Sequence, residues 1–413
     1  MVDKTTVSNN YLSQIEKLSI HEGSYPLFSR ISNSLNYFKS NGLPSKKTLN
    51  WSKTNPLSRF QTKQVSPNSN SDQLSGTKDD TNLNLIVNNG IANLKQSNLP
   101  DGITVTNIKR EEVSEEIVKN FFSDEDIDSC ESLNNISLSN LILVEVNQEK
   151  NLEEPIIIQH KTSISEDLII SPTICILAKK QSSAIFIESF SSKSNHLINS
   201  VIKFKLLSNS NIEHIIINKD LETHLSLTKA YVDTDAAFKS FVSSSNSSLI
   251  RNNIEVNLMA PGASTKVNGL FNLKDNQHCD NYSNIKHLSE HTISEQLYKG
   301  IMDDSSHGCF TGKILIEKQA QKCSANQLNK NILLSKKAHI DTSPQLEVYA
   351  DDVKCAHGAS IGQISEDQLF YLQARGIDEA RANLILSEAF SQDAIDQIDS
   401  NSAKEILANN FMD

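Results

Sequence analysis

NLILVEV at 140–146, EPIIIQH at 154–160, LIISPTICILA at 168–178, SAIFIESF at 183–190, SVIKFKLL at 200–207 and NIEHIIINK at 211–219 follow one another between Leu138 and Lys219. Each run is short, apolar or alternating, and rich in Ile, Leu and Val, which is the pattern of a strand with one or both faces buried. They recur roughly every ten to fifteen residues and leave no room for intervening helices, so this region is all-β. Many short strands in series resolve into a sandwich, a propeller or a parallel β-helix. No blade signature or strict short repeat occurs. Asn and Ser concentrate at the corners while apolar residues fill the runs, and this favours the β-helix, whose stacked rungs bury apolar side chains inside.

Outward from this stretch the same texture begins near Asn84 and ends near Asp352. It is interrupted at Ser240–Ile250, which reads as a serine-rich turn or loop, and resumes with NNIEVNLMAPGASTKVNGLFNL at 252–273. Both ends of the chain are helical. Tyr11, Leu12, Ile15 and Leu18 share one stripe; Leu27, Phe28, Ile31, Leu35 and Phe38 share another, closed by Gly42 and Pro44. Gln64–Thr81 has almost nothing to bury and reads as a linker or mobile loop. Beyond Gly362, Ser365 and Gln368 form a capping box before Leu369, Phe370 and Leu372, and Gly376 ends that helix. Asp378 caps a second helix, 378–390, with Ala380, Leu384 and Phe390 near one face, and a third covers Asp393–Phe411 with a capping box at Ser402 and Glu405. The expected fold is mainly β, a β-helix core over 83–364 between an N-terminal helical region with polar linker, 1–82, and a C-terminal helical subdomain, 365–413.

A chain of 413 residues with 38% hydrophobic content builds an ordinary core. The net charge of −11 and the isoelectric point near 5.5 speak against nucleic acid as a partner, since phosphate binding needs a concentrated basic face. The first residues, MVDKTTVSNNYLSQ, show no targeting pattern, and the most apolar run, Leu168–Ala178, is too short to span a bilayer and is broken at Pro172. A cytoplasmic location is the default expectation. The six cysteines make neither a Cys-x-x-Cys nor a disulfide ladder. Cys175 reads as a small buried hydrophobe, and Cys130, Cys279, Cys309 and Cys323 have no distinctive setting.

The chemistry concentrates in LEVYADDVKCAHGASIGQ, 346–363. Leu346, Val348 and Ala350 alternate as in a strand; if it continues, Cys355 and His357 leave one face roughly 7 Å apart. Two such ligands suit a metal or a sulfur species but cannot close a site that takes three or four, so the rest must come from elsewhere in this chain or from another. Gly358 would permit close approach of a backbone or a turn. Other patterns are near misses. Gly308, Gly312 and Lys313 resemble a phosphate loop one residue short, with Ile314 in place of Ser or Thr. Asp124, Asp126 and Asp128 alternate like a calcium loop but lack its glycine and terminal glutamate, leaving an acidic solvated turn. His287 and His291 stand four apart without the helix or the glutamate of a zinc motif.

These residues resemble the SufB/SufD family of iron–sulfur cluster assembly proteins. NILLS at 331–335, PQLEVYADDVKCAHGA at 344–359 and LFYLQARG at 369–376 carry the likeness over about a quarter of the chain, and GLPSKKTLNWSKT at 42–54 resembles the family's N-terminal segment. HGASIGQ at 357–363, the lack of a Cys-x-x-Cys and the modest length resemble the SufD branch; Cys323 departs from the threonine more usual in the family and receives no role. The resemblance implies a right-handed parallel β-helix that pairs end to end with a SufB-like paralogue, while the C-terminal helices bind a SufC-like ABC ATPase. It places His357, with Cys355 beside it, at a transient metal or cluster site shared with the SufB-like partner, and the ATPase contact at Leu369, Phe370, Tyr371, Arg375 and Gly376. It further implies a non-catalytic scaffold supporting iron acquisition and cluster assembly, with ATP only in the SufC-like partner and no cofactor held stably by this chain alone. Two alternatives stand beside it: a β-helix enzyme acting on acidic polysaccharide through Asp351, Asp352 and Lys354, and a homodimeric interaction protein without cluster chemistry.

Overall fold

A computed structural model describes residues 4–19, 25–48, 50–61, 64–65, 83–122, 127–162, 168–190 and 196–411. The chain coils into a parallel β-solenoid in which successive strands alternate between two sheets. From Leu197 onward the first sheet takes Leu197–Leu206, Thr223–Val232, Leu249–Leu258, His278–His287, His307–Ile316 and His339–Val348. The second takes Asn211–Lys219, Ala237–Ser245, Ser264–Leu273, Ile293–Met302, Ser324–Leu333 and Lys354–Gly362. Pairing is parallel and in step: Leu197 lies beside Thr223, Thr223 beside Leu249, Leu249 beside His278, His278 beside His307 and His307 beside His339. Near the N-terminal end the pattern changes, because Ile103–Lys109 joins Asn140–Val146 antiparallel.

The corners explain the Asn and Asp signal. Asn209, Asp220, Asp235, Asn246, Asp275 and Asp304 all adopt positive φ between consecutive strands, a conformation these side chains tolerate better than most. Inside, one residue in two points to the axis. Phe186, Ile212, Phe238, Val267 and Phe271 from the second sheet meet Phe204, Ala230, Val256, Ile285 and Ile314 from the first in one continuous core. Ser240–Ser245 is strand, not loop, and only Asn246–Ser248 turns. Ser244 points into the bore, where its hydroxyl accepts from Asn252 at 3.2 Å, so serine here fills a polar interior position rather than a corner.

The N-terminal helices, α1 (Lys4–Ser19) and α2 (Phe28–Asn41), lie with α3 (Glu115–Phe121) and α4 (Ser129–Ser137) over the outer face of the first sheet. Tyr11, Phe38, Trp51, Phe60 and Leu133 pack there on Leu197, Leu225 and Leu249. Gly42 ends α2 at φ 63°, its amide donating to Phe38. The side chains of Ile15 and Leu18 and the linker residues 66–82 lie outside the described residues, whereas Gln64–Val65 pairs as a short strand with Leu168–Ile169. Beneath α4, the Glu131 carboxylate receives Arg30 at 2.9 Å and Lys203 and Lys229 each at 3.0 Å, all buried.

Three C-terminal helices follow the solenoid: α5 (Glu366–Gln373), α6 (Glu379–Ile395) and α7 (Asn401–Phe411). Asp378 caps α6 by accepting from the Arg381 amide at 2.9 Å. Helix α6 extends through Asp393, and the next cap is Ser400, which accepts from the Ala403 amide at 3.2 Å, rather than Ser402. Ala382, Ser391, Ala394 and Ile395 form the buried face of α6, while Ala380 and Leu384 are exposed. That face and Leu407 of α7 cover Ile187, Ile215, Phe241 and Leu270 on the outside of the second sheet. No described helix is long and apolar enough to cross a membrane.

Candidate functional site at the open end of the solenoid

The solenoid is closed by helices along its sides but not at its last coil. His339–Val348 ends the first sheet and Lys354–Gly362 ends the second, and among the described residues neither pairs on its outer edge. Each therefore presents a row of unpaired backbone donors and acceptors. Val348, Tyr349 and Ile361, 38%, 61% and 51% exposed, stand on or beside these edges.

Cys355 and His357 lie within Lys354–Gly362, after a break in the strand at Tyr349–Val353. Their partners in register are Ala325 and Gln327, both buried and facing the bore, so Cys355 and His357 face inward at its mouth. Cys355 is half-buried against the core, and burial, reinforced by Cys323, pushes its thiol above the ordinary value. His357 is exposed because no further coil covers it. Below it, Gln327 donates to Gln296 at 2.5 Å and Gln296 to Ser283 at 2.5 Å. The site thus offers one accessible imidazole, a protonated thiol behind it and a polar interior beneath. Gly358 neither turns nor admits a backbone: it is mid-strand, and a Cβ there would meet Leu328 at an ordinary 3.4 Å.

The residues expected to contact an ATPase lie just beyond. Helix α5 buries none of its residues completely; Phe370 is 71% and Tyr371 55% exposed, while Leu369 is half-buried. The Arg375 guanidinium sits 4.4 Å over the Tyr371 ring, and Gly376 turns the chain at φ 85°.

The near misses find structural explanations. Gly308 and Gly312 are strand residues facing the core, where a Cβ would meet Phe271 at 2.8 Å and Phe310 at 2.7 Å respectively, and Lys313 pairs with Glu347. Asp128 is not in a solvated turn: it is half-buried and caps α4, accepting from the Glu131 amide at 2.7 Å; Asp124 and Asp126 lie outside the described residues. His287 is buried between Thr292 and Ser294, 2.8 Å from each, and His291 takes the αL corner position, so the two do not converge.

Residues 160–390 match the family described as SUF system FeS cluster assembly, SufBD core domain, which is more than half the chain. The chain belongs to the SufB/SufD family. An iron–sulfur cluster assembly SufBD family protein of Synechocystis is 28% identical over 280 residues, 65% of this chain and 62% of the relative. The iron–sulfur cluster assembly protein SufD of Escherichia coli is 30% identical over 216 residues, 52% of this chain and 51% of the relative. The chloroplastic protein ABCI7 of Arabidopsis thaliana is 28% identical over 315 residues, 73% of this chain and 64% of the relative. The chain therefore spans between about half and just under two thirds of the length of these relatives.

The matched region of this SufBD-family chain contains Cys355, His357 and all of α5. Asp351, Asp352 and Lys354, the residues of the polysaccharide alternative, are exposed around the turn between the last two strands. Sequence reading missed one group altogether. His278, His307, Cys309, His339 and Asp341 gather on the outer face of the first sheet. A signal was present: HCD at 278, HGC at 307 and HID at 339 repeat His-x-Asp/Cys once per coil.

Proposed function

We infer that this SUF-system chain is a non-catalytic scaffold subunit that pairs with a SufB-like paralogue and a SufC-like ABC ATPase. The observation that carries this reading is the open last coil: its two edge strands are unpaired among the described residues, and one of them carries an exposed His357 that faces the bore. A second solenoid bringing its own free edges would continue both sheets and enclose that imidazole. The iron–sulfur cluster is cargo here, held transiently. His357 supplies an imidazole nitrogen, and the partner must supply thiolate or carboxylate to complete the coordination. Cys355 is the weaker ligand, because burial favours its neutral thiol.

The exposed Phe370, Tyr371 and Arg375 on and beside α5 form the ATPase-binding surface, with Leu369 and Gly376 fixing the shape of the helix and its end. ATP is bound by that partner alone. The acidic balance and the absence of a described membrane-spanning helix fit a cytoplasmic subunit that contacts neither nucleic acid nor membrane.

The test is anaerobic co-purification of the tagged chain with SufB-like and SufC-like proteins, read by native mass and visible absorption. A mixed complex is expected, whose iron–sulfur absorption falls in His357→Ala and falls less in Cys355→Ser. Phe370→Ala with Arg375→Glu should release the ATPase while leaving the paralogue bound. A homodimer with no ATPase would overturn the reading.

A further inference from the structure

The first sheet carries a second convergence of ligand atoms, on its outer face and away from the bore. Along the column formed by the first residue of each strand, Leu197 and Leu249 sit under the N-terminal helices, but the next three positions are His278, His307 and His339. Their rings adjoin, the first pair edge-on and the second tilted, with centroids 4.8 and 4.9 Å apart, the spacing of neighbouring strands. Two residues along, the adjoining column reads Asp280, Cys309 and Asp341. Parallel register therefore gathers imidazole, thiol and carboxylate groups where the apolar cover ends.

The convergence is close. His307 Nε2 lies 3.4 Å from Cys309 Sγ and 3.0 Å from Asp341 Oδ2. One imidazole nitrogen makes a strong hydrogen bond to only one of them, the thiol sulfur being a weak acceptor at best. As a donor to Asp341 it cannot accept from the thiol, and as an acceptor from the thiol it faces the carboxylate lone pair to lone pair. A cation bound by these atoms removes the conflict. Bond lengths of about 2.0–2.1 Å to nitrogen and about 2.3 Å to sulfur in a tetrahedron put the two ligands about 3.5 Å apart, close to what is seen. The His278, His307 and Cys309 ligand atoms all lie within 4.8 Å of one another, as do those of His307, His339 and Asp341. The approach is framed by the segment after α2: the Thr54 hydroxyl contacts His278 at 2.8 Å, and Lys53 reaches Asp341 at 2.8 Å.

The geometry points to a binding site for a divalent first-row transition ion of the zinc or ferrous class at His278, His307 and Cys309, with Asp341 and His339 flanking an open fourth position. Two imidazoles and a thiolate suit that class and not calcium or magnesium, which require oxygen ligands. This site is separate from the His357 mouth. It lies on the outside of the other sheet and draws no ligand from a partner.

The test is an anaerobic titration of the chelator-treated 413-residue chain with Co2+, following the near-ultraviolet thiolate-to-cobalt absorption. One equivalent is expected to bind, and Zn2+ should displace it. Cys309→Ser should abolish the band, and His307→Ala should weaken Co2+ binding by more than about tenfold. The pair Cys355→Ser and His357→Ala should leave it intact, so failure here and failure of the scaffold reading are distinguishable. Because Cys309 is buried, Asp341→Asn at the solvent edge gives a second reading, with severalfold weaker binding at unchanged thermal stability. No Co2+ binding by the folded wild type, a band that survives Cys309→Ser or is lost with Cys355→Ser, or an affinity unchanged by both His307→Ala and Asp341→Asn would overturn the assignment.

Discussion

Glu131 shows how a single side chain holds the N-terminal cover to the solenoid. Burial alone would raise its pKa, but Lys229, Lys203 and Arg30 outweigh that and hold the carboxylate well below the usual range. Arg30 comes from α2 and the lysines from two adjacent strands, so one residue ties three layers together. Removing the acid would strand buried cations. Glu131→Gln is expected to destabilise the fold by about 3–5 kcal/mol, measured by denaturant unfolding, whereas Lys150→Ala, at an exposed pair with Asp101, should leave unfolding nearly unchanged.

At the scale of the strand, glycine marks where the coil is thinnest. A Cβ on Gly300 would lie 2.5 Å from Phe271 Cε2 and 2.6 Å from Asn331 Oδ1 inside the bore, while one on Gly358 would meet only Leu328 at 3.4 Å. Gly300→Ala should therefore cost about 1–3 kcal/mol through overpacking, and Gly358→Ala should leave unfolding nearly unchanged. Thermal and denaturant unfolding of the two variants check this contrast, and equal losses would contradict it. In the sequence the two glycines look alike; only their rung partners separate them. Ser240–Ser245 teaches the same lesson, since a serine run reads as loop until the bore supplies polar partners such as Asn252. The caps were legible because they are local: Ser365 and Asp378 reach amides three residues on. The end of α6 was not, because packing against the second sheet carries the helix past Phe390.

Over the whole molecule, buried histidines set the response to acid. Burial lowers His224 to about 3 and His287 to about 4, against about 6.5 in an unfolded chain. The unfolded state therefore binds these protons more tightly. Their stabilisation is fully present above pH 6.5 and is lost as pH falls through about 4 and then about 3. Glu188, held near 2 because His160 and His214 outweigh its burial, adds a loss of the same sign below about pH 4.5. The melting temperature should decline from pH 6.5 downward, each histidine contributing at most about 1.4 kcal/mol per pH unit. His287→Asn should make that decline shallower. A profile unchanged by the substitution would show that His287 is not buried neutral.

The all-β core with helices at both ends is legible in the chain's local patterns, and so is the placement of Cys355 and His357 on one face of one strand. Those features follow from patterns within a few residues: alternation, corner residues that accept positive φ, caps, and the two-residue period of a strand. That this face looks into the bore, that the last coil is open, and that His278, His307 and His339 stand in contact are consequences of the three-dimensional packing. Residues a full coil apart become neighbours through the parallel register, which the lengths of the intervening corners set and no local pattern encodes.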